Sequence, residues 1–246
     1  VMDAVKAYCK GRVSDASWLR LRIGTGEIDS HVVLEDPRKM EFERTTRRRL
    51  RSLPVTVCLS DAGFIGCTGE SATLHSVVSW MIVQMAALHS PKDLSLYLLS
   101  AKSKDPIPGA NADWTFTQWL PHFMPHNGQD TLRTIGTNAE DLAKRISELV
   151  SLMEDRKKTC ERQMLKHWTG SAIVVIMEHA HILRSMPGII SILKEGPSVG
   201  IYTLCVDTDE QLLPEECQTV LTAVNKTIRL ESNAEKDVLD VMPDLV

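Results

Sequence analysis

The chain has 246 residues, of which 43% are hydrophobic and 24% charged, enough for one large domain or for a domain with an appendage. Its formal net charge of -4 provides no general attraction to nucleic acid or to an anionic membrane surface. The six cysteines contain no C-x-x-C pair, which indicates reduced, small apolar residues of a cytosolic compartment rather than a disulfide or zinc framework.

The first 52 residues predict a small N-terminal β/α appendage. Residues 1–17 are compatible with a short amphipathic helix. Residues 18–34 alternate apolar and polar side chains up to Gly24–Gly26 and then show a second apolar run, which predicts two strands joined by a turn. Residues 36–51 are charged and compatible with a helix, so we expect a connector rather than part of the core.

Arginines are concentrated at the end of this connector. A lone basic cluster without interleaved aromatic residues is weak evidence for a nucleic-acid patch, so a solvated helix end is the favoured interpretation. The cluster consists of Arg47, Arg48, Arg49 and Arg51.

Residues 53–246 predict one domain in which strands and helices alternate. Short apolar strands separated by helices indicate an α/β fold with a mostly parallel sheet and helices on both faces. Residues 101–128 are irregular, and we expect Trp114 and Trp119 to pack onto the core. The predicted strands are 53–59, 94–100, 172–177, 201–206 and 226–231, and the predicted helices are 73–89, 138–167 and a short one around 187–194.

The sequence contains no predicted membrane span or leader. No apolar stretch reaches the roughly 18 residues that a membrane span needs, and no secretory leader is visible. Because the chain begins with Val1, we expect it to be a piece of a longer polypeptide.

The stretch FIGCTGESATLHSVV, residues 64–78, has the layout of a phosphate-binding loop. A short apolar run enters a turn of small residues and a helix leaves it, as where backbone N–H groups at a helix N-terminus cradle phosphates. Aligned to G-x-x-x-x-G-K-[ST], a serine replaces the second glycine and an alanine replaces the lysine. The candidate nucleotide-binding residues are Gly66, Cys67, Thr68, Gly69, Glu70, Ser71, Ala72 and Thr73.

The missing lysine weakens this interpretation. A working loop uses the lysine for a charge-assisted hydrogen bond to the outer phosphates, and losing such a bond costs roughly 1.5–3 kcal/mol. Ala72 cannot make this bond, and Glu70 adds a negative charge beside the expected phosphates. A strand-to-helix turn without a tight ligand is therefore favoured over a nucleotide site.

A nucleotide site also needs an apolar strand that ends in acidic residues. IVVIMEHAH, residues 173–181, supplies the strand, with Met177 at the first acidic (Walker B) position and Glu178 at the second. A thioether is a poor ligand for a hard cation such as magnesium, which prefers oxygen donors. We therefore expect no catalytic residue, no metal site and no cofactor, with ATP and magnesium as the weaker alternative.

Two other kinds of site are disfavoured. Residues 69–73 come close to the G-x-S-x-G elbow of serine hydrolases, but the second glycine is absent and His181 precedes Asp207, against the order of that fold. His179 and His181 would point the same way if their strand continued, but no third ligand is spaced to complete a metal site.

Seven stretches, from about Trp18 to Cys217, occur in an order and spacing that resembles one family. They are LRLRIGTGEI, LPVTVCL, FIGCTG, ALHSPKDL, WLPH, IGTNAEDL and VGIYTLCVDTDEQLLPEEC. Together they resemble the FtsK/SpoIIIE-type motors of type VII secretion, the EccC/EssC family. Within these motors they resemble the degenerate ATPase-like domain between the transmembrane helices and the first ATPase domain.

This resemblance implies a P-loop NTPase-like (FtsK/RecA-like) fold without intact Walker motifs, in agreement with Ala72 and Met177. It implies a place on the cytoplasmic side of the cell membrane, within a larger membrane-anchored protein. Its implied partners are the adjacent FtsK/SpoIIIE ATPase domains, secretion-channel membrane subunits and secreted proteins, with hexamers in the full machine. Where active domains carry G-x-T-G-S-G-K-S, the chain keeps Gly66, Thr68 and Gly69 and then departs, which brings ATP binding into question.

The leading hypothesis is a non-catalytic coupling domain that transmits rearrangements of neighbouring ATPase domains toward the membrane channel. One alternative is a divergent ATPase that uses a neighbour's residue, or Lys102 or Lys104 at the carboxyl edge of the sheet, in place of the missing lysine. Another is a DNA translocase of the FtsK kind, which the acidic net charge disfavours. A third keeps the vacant pocket as a docking groove for a secreted substrate or a partner helix.

Overall fold

A computed structural model describes residues 17–35, 37–38, 40, 45–101, 114–125, 131–232 and 237–244. The helix predicted over residues 1–17 lies outside the described residues except for Ser17, and Lys102 and Lys104 lie outside them as well.

The described residues form one mixed sheet. Its strands are β1 (Arg20–Glu35), β2 (Thr45–Cys58), β3 (Phe64–Gly69), β4 (Leu94–Ser100), β5 (Ile135–Gly136), β6 (Ala172–Glu178), β7 (Ile201–Val206), β8 (Thr219–Val224), β9 (Thr227–Ser232) and β10 (Asp237–Pro243). Their order across the sheet is β2-β1-β10-β9-β8-β3-β7-β6-β4-β5. The strands from β8 to β5 pair in parallel, and those from β8 to β2 pair antiparallel. The predicted parallel sheet is thus confirmed for the core.

Helices cover both faces of the parallel part, as predicted. The helices are α1 (Leu59–Ala62), α2 (Ser71–Leu88), α3 (Ala139–Gln163), α4 (Ala180–Arg184) and α5 (Ile189–Glu195). Short 3-10 helices lie at Trp114–Trp119, Pro121–Phe123, Gly196–Val199 and Glu210–Leu212. One buried cluster contains α2, and a second contains α3, α4 and α5.

The continuous apolar sequence of β6 follows from this double cover. Val174 and Ile176 belong to the cluster on the α2 face, whereas Val175 and Met177 belong to the cluster on the α3 face. Because successive side chains of a strand point to opposite faces, a strand buried on both faces must be apolar at every position.

The long helix α3 begins close to its predicted start. Asn138 is its N-cap, with Oδ1 accepting a hydrogen bond from the Asp141 backbone N–H at 2.9 Å. The helix ends at Gln163, four residues before the predicted end, where Met164 takes a left-handed conformation with φ 52°.

The N-terminal hairpin differs from the prediction. β1 continues through Gly24–Gly26, which we expected to form a turn, and pairs there with β10. A Cβ atom on Gly24 would lie 2.0 Å from the carbonyl oxygen of Met242, so this glycine permits a close strand approach rather than a turn. The sequence suggested a turn because the strand that pairs with these glycines, β10, is remote in sequence.

The predicted charged connector is also wrong for residues 45–51. They belong to β2, which crosses the predicted domain boundary after residue 52 and pairs with β1 from Arg20 to Glu35. β2 lies at the end of the sheet, and its residues 45–51 are exposed. Edge strands often carry charged side chains, so the charge that suggested a helical connector fits this strand as well. The division at residue 52 stays a prediction.

Helix α2 corrects the expectation that no stretch is long and apolar enough for a membrane span. Its 18 residues meet that requirement by length and composition. Val77, Met81 and Met85 are buried in the cluster that also contains β1 and β3 side chains, so the apolar composition of α2 suits a core helix.

Candidate functional site

The candidate site lies at the carboxyl ends of three neighbouring parallel strands, β3, β7 and β6. Open α/β sheets place ligands at this edge. The carboxyl ends of these strands bring together Gly69, Val206 and Glu178, and α2 begins directly beside them. The two stretches that the sequence singled out therefore both end at this edge of the sheet.

The first part of the stretch with the layout of a phosphate-binding loop is a strand in the structure. Gly66, Cys67 and Thr68 are buried within β3, which pairs with β7 on one side and β8 on the other. β3 ends at Gly69 and α2 begins at Ser71, so only one residue connects them. A phosphate-binding loop presents several consecutive backbone N–H groups around the phosphate. This connection is too short to form one.

Gly69 is required by packing against β8. Its φ is 106°, and a Cβ atom there would lie 2.2 Å from the carbonyl oxygen of Ala223. The next backbone N–H, that of Glu70, donates to the same carbonyl oxygen at 3.0 Å. The close approach of β8 therefore explains the glycine at this position without a phosphate.

The single connecting residue, Glu70, places its carboxylate beside the N-terminus of α2. Its Oε2 accepts hydrogen bonds from the Thr73 hydroxyl at 3.3 Å and from the Lys226 backbone N–H at 3.4 Å. A helix N-terminus favours negative charge, and here the chain supplies that charge itself. Ala72 and Ser71 lie in the first turn of the helix, with Ala72 exposed. Thr73, one of the eight candidate nucleotide-binding residues, thus donates its hydroxyl hydrogen bond to Glu70.

The two Walker B positions have different environments. Met177 is buried in the core on the α3 face, opposite to the cluster that contains α2. Glu178 follows it and is half-buried at the candidate site, where the Ser100 hydroxyl donates a hydrogen bond to its Oε2. A thioether in the core supplies no ligand to the site, so Glu178 is the single acidic residue that β6 brings there.

Asp207 follows β7 directly and lines the candidate site. The sequence analysis considered it only as the acid of a serine hydrolase, an interpretation that was rejected. Its buried carboxylate accepts hydrogen bonds from the His181 backbone N–H at 3.0 Å and the Thr208 backbone N–H at 2.9 Å. The Nδ1 atom of His181 lies 2.7 Å from the same carboxylate. This network joins the start of α4 to the end of β7, and its position after an apolar strand was the available sequence signal.

The histidine pair does not continue the strand. His179 has a left-handed φ of 57°, and α4 begins at Ala180. The His179 and His181 rings are 6.3 Å apart and perpendicular. Within the described ranges, no group of three His, Cys, Asp or Glu side chains is placed to hold a metal ion.

Three buried cysteines lie on or next to the strands of the site: Cys67 on β3, Cys205 on β7 and Cys217 just before β8. Burial raises the pKa of Cys67 well above its usual range, and Cys217 adds to the effect. A hydrogen bond with Cys217, together with burial, raises the pKa of Cys205. Because the thiolate is the reactive form, these cysteines act as small core residues. Among the described cysteines Cys58, Cys67, Cys160, Cys205 and Cys217, all are free.

The cavity at the site holds about one water molecule. Its volume is ≈ 30 Å³, and it is lined by residues from the ends of β3, β6 and β7, from α2 and by Trp114. The Trp114 ring packs 4.5 Å from the ring of His75 on α2. Pockets that hold drug-sized ligands measure roughly 300–1,000 Å³. The volume of this cavity is at most about a tenth of that range.

The other predicted tryptophan does not pack on the core. Trp119 is 78% exposed, whereas Trp114 packs against the core cluster. The shared expectation for the two residues was thus right for Trp114 and wrong for Trp119.

Comparisons with known proteins identify relatives of the chain. No family model matches it. It is 27% identical over 158 residues to the ESX secretion system protein EccC of Thermomonospora curvata, a match that covers 59% of this chain and 12% of that protein. It is 27% identical over 135 residues to the ESX-4 secretion system protein EccC4 of Mycobacterium tuberculosis, covering 49% of this chain and 10% of that protein. The matches thus span only a small part of these curated relatives.

Solved structures with the same fold include ATPase domains of EssC and EccC. ATPases 2 and 3 of EssC from Geobacillus thermodenitrificans match with a TM-score of 0.61 at 12% identity, over 96% of this chain and 46% of that one. ATPases 2 and 3 of Thermomonospora curvata EccC, in complex with a signal sequence peptide, match with a TM-score of 0.61 at 14% identity, over 96% and 43%. The chain is therefore a homologue of the EccC/EssC type VII secretion ATPases, with the P-loop NTPase-like fold of their ATPase domains.

Proposed function

We propose that the chain is a non-catalytic, ATPase-like coupling domain of a membrane-anchored type VII secretion motor. The observation that carries this proposal is the connection between β3 and α2. It is one residue long, and that residue, Glu70, places its own carboxylate beside the first turn of α2, the helix end that would have to receive a nucleotide phosphate. Two like charges cannot share that position without a large electrostatic cost.

Three further features support the absence of catalysis. Ala72 provides no cation for phosphate, Met177 provides no oxygen ligand for magnesium, and the cavity of ≈ 30 Å³ is well below the usual volume of a ligand pocket. The domain accordingly needs no cofactor, neither ATP nor magnesium. The fold remains complete, with a core that is buried on both faces of the sheet.

In this proposal the domain works mechanically. A closely packed sheet transmits displacement instead of absorbing it. Nucleotide-driven rearrangement of adjacent FtsK/SpoIIIE ATPase domains in the same polypeptide would move this domain and, through it, the membrane subunits of the channel. We place it on the cytoplasmic side, between the transmembrane helices and the first ATPase domain, in a hexameric machine. One relative carries a bound signal sequence peptide, which supports secreted proteins as cargo.

Calorimetry and a phosphate-release assay with Mg-ATP test the absence of catalysis. The 246-residue chain should give neither saturable heat nor turnover, and Glu178→Gln should behave identically. In the longer polypeptide, the same substitution should leave ATP turnover unchanged. Turnover by the isolated chain that Glu178→Gln abolishes would overturn the proposal.

A divergent ATPase is the second candidate, because one acidic residue is retained at the site. Glu178 is held by Ser100 at the sheet edge where a catalytic carboxylate is needed. This candidate requires a cation from another subunit, and it predicts turnover only in the assembled protein, lost on changing Thr73 or Glu178. A DNA translocase would instead give a salt-dependent gel shift with duplex DNA.

A further inference from the structure

A two-stranded ribbon extends beyond the rest of the sheet. β10 pairs with β1 only from Gly24 to Gly26, so residues 28–35 of β1 pair with β2 alone among the described residues. On β2, every side chain from Thr45 to Leu50 is exposed. β2 is also the last strand of the sheet, and no described residue pairs with its outer edge.

Such a ribbon is suited to gaining a third strand. A two-stranded hairpin is marginally stable by itself in water, and an open edge is a template for another extended segment. The ribbon exposes apolar side chains as well, with Val32 64% and Leu50 40% exposed. Pro54 lies within β2, which agrees with an edge position because proline has no N–H to donate.

The arginines of residues 45–51 outnumber the carboxylates of β1 by four to three, the carboxylates being those of Glu27, Asp29 and Glu35. Glu27 is shared between two arginines, with 3.5 Å to Arg49 and 3.2 Å to Arg51. Arg47 and Arg48 form no ion pair with any described residue. Four of the seven residues from 45 to 51 on this edge strand are thus arginines, in a chain whose net charge is -4.

We propose that the outer edge of β2 binds an extended, acidic polypeptide segment as an additional strand. Backbone hydrogen bonds along the edge would provide affinity, and acidic side chains at alternate positions would lie beside Arg47, Arg49 and Arg51. Glu27 and Asp29 are on β1, so their backbones lie one strand further from the added strand than the backbones of the arginines. An added strand would therefore pair directly with the strand that carries the arginines and not with the strand that carries Glu27 and Asp29.

The charge pattern also selects among occupants. A second copy of the chain that paired edge to edge would place arginines opposite arginines, which is destabilising. Duplex DNA or an anionic membrane would use the charge but would leave the backbone groups of the edge unpaired. An acidic strand satisfies both the charge and the edge.

A designed peptide tests this proposal on the 246-residue chain. The probe alternates Glu and Val and has blocked ends, and binding is measured by calorimetry at low and moderate salt. It should bind, and the backbone amides of residues 45–51 should gain protection from hydrogen exchange. Arg47→Glu with Arg49→Glu should weaken binding by about tenfold or more. Arg162→Glu, an exposed arginine at the end of α3, should leave binding unchanged.

Two comparison peptides separate strand addition from simple charge attraction. Replacing Glu by Lys should abolish binding, and a central proline should weaken it about tenfold or more because proline interrupts the ladder. Equal binding of the proline peptide would overturn the proposal, as would failure of the Glu–Val peptide to bind. Tighter binding of duplex DNA or of phosphatidylserine vesicles at the same arginines would also overturn it. Urea unfolding midpoints of the variants establish that they are folded.

Discussion

At the scale of single residues, His89 connects the N-terminal strand to the core. Its Nε2 accepts a hydrogen bond from the Leu19 backbone N–H at 3.3 Å, and its ring meets the edge of Trp18 at 4.6 Å. Its Nδ1 lies 3.1 Å from the Met85 carbonyl oxygen, to which it donates. An accepting Nε2 requires the neutral ring, and burial lowers the pKa of His89 from its usual value.

This geometry predicts a loss of stability in acid. Because the pKa of His89 is lower in the folded than in the unfolded chain, its stabilising effect is present above about pH 6.5 and is lost as the pH falls below that value. Urea unfolding of His89→Gln should therefore depend less on pH than wild type between pH ~8 and pH ~5. His167→Gln, an exposed control, should keep the wild-type dependence. An unaltered pH dependence in His89→Gln would contradict the prediction.

At the scale of elements, the short connection between β3 and α2 decides the character of the site. β8 approaches Gly69 so closely that the strand continues to this residue, and α2 starts two residues later. A single substitution therefore cannot recreate a phosphate-binding loop, because the required backbone N–H groups already belong to the strand ladder and the helix.

Returning the lysine and removing the Glu70 carboxylate should not create nucleotide binding. Ala72→Lys combined with Glu70→Gly returns the cation and removes the carboxylate, but leaves the one-residue connection and the cavity of ≈ 30 Å³. Titration calorimetry with Mg-ATP should give no saturable heat, as for wild type. Thermal unfolding serves as the control that the variant is folded. Saturable binding would mean that chemistry, rather than backbone geometry, limits the site.

At the scale of the whole molecule, stability is unevenly distributed over the sheet. The central strands β3, β6 and β7 are buried and have helices on both faces. The ribbon of residues 28–35 and 45–50 lies at the sheet's end, and its side chains at 32–35 and 45–50 are exposed. Local opening costs least where few apolar contacts are lost.

Hydrogen exchange measured by mass spectrometry should reveal this gradient. Peptides from β6 and β7 should exchange slowest, and peptides from the ribbon should exchange fastest among the strands of the free chain. The strand pairs β8–β9 and β9–β10, which lie between these regions, should be intermediate. Ribbon protection equal to that of β6 would contradict the prediction.

Sequence reasoning succeeded where local pattern and burial agree. The apolar run of β6 and the cap at Asn138 depend on neighbouring residues, so both were predictable. It failed at Gly24 and Gly69, because the strands that approach these glycines, β10 and β8, are more than a hundred residues away in sequence. The paired Asp207 and His181 were missed as a unit for the same reason.

The sequence by itself determined the parallel core, the helices on both faces and the missing lysine and first acid, since residue type and periodicity carry that information. Tertiary structure alone decided that Gly66–Gly69 is a strand, that Glu70 lies beside the start of α2 with Thr73 and Lys226, and that the arginines border an open edge. The physical reason is that a strand becomes a strand through its neighbours' hydrogen bonds, and those neighbours come from distant parts of the chain.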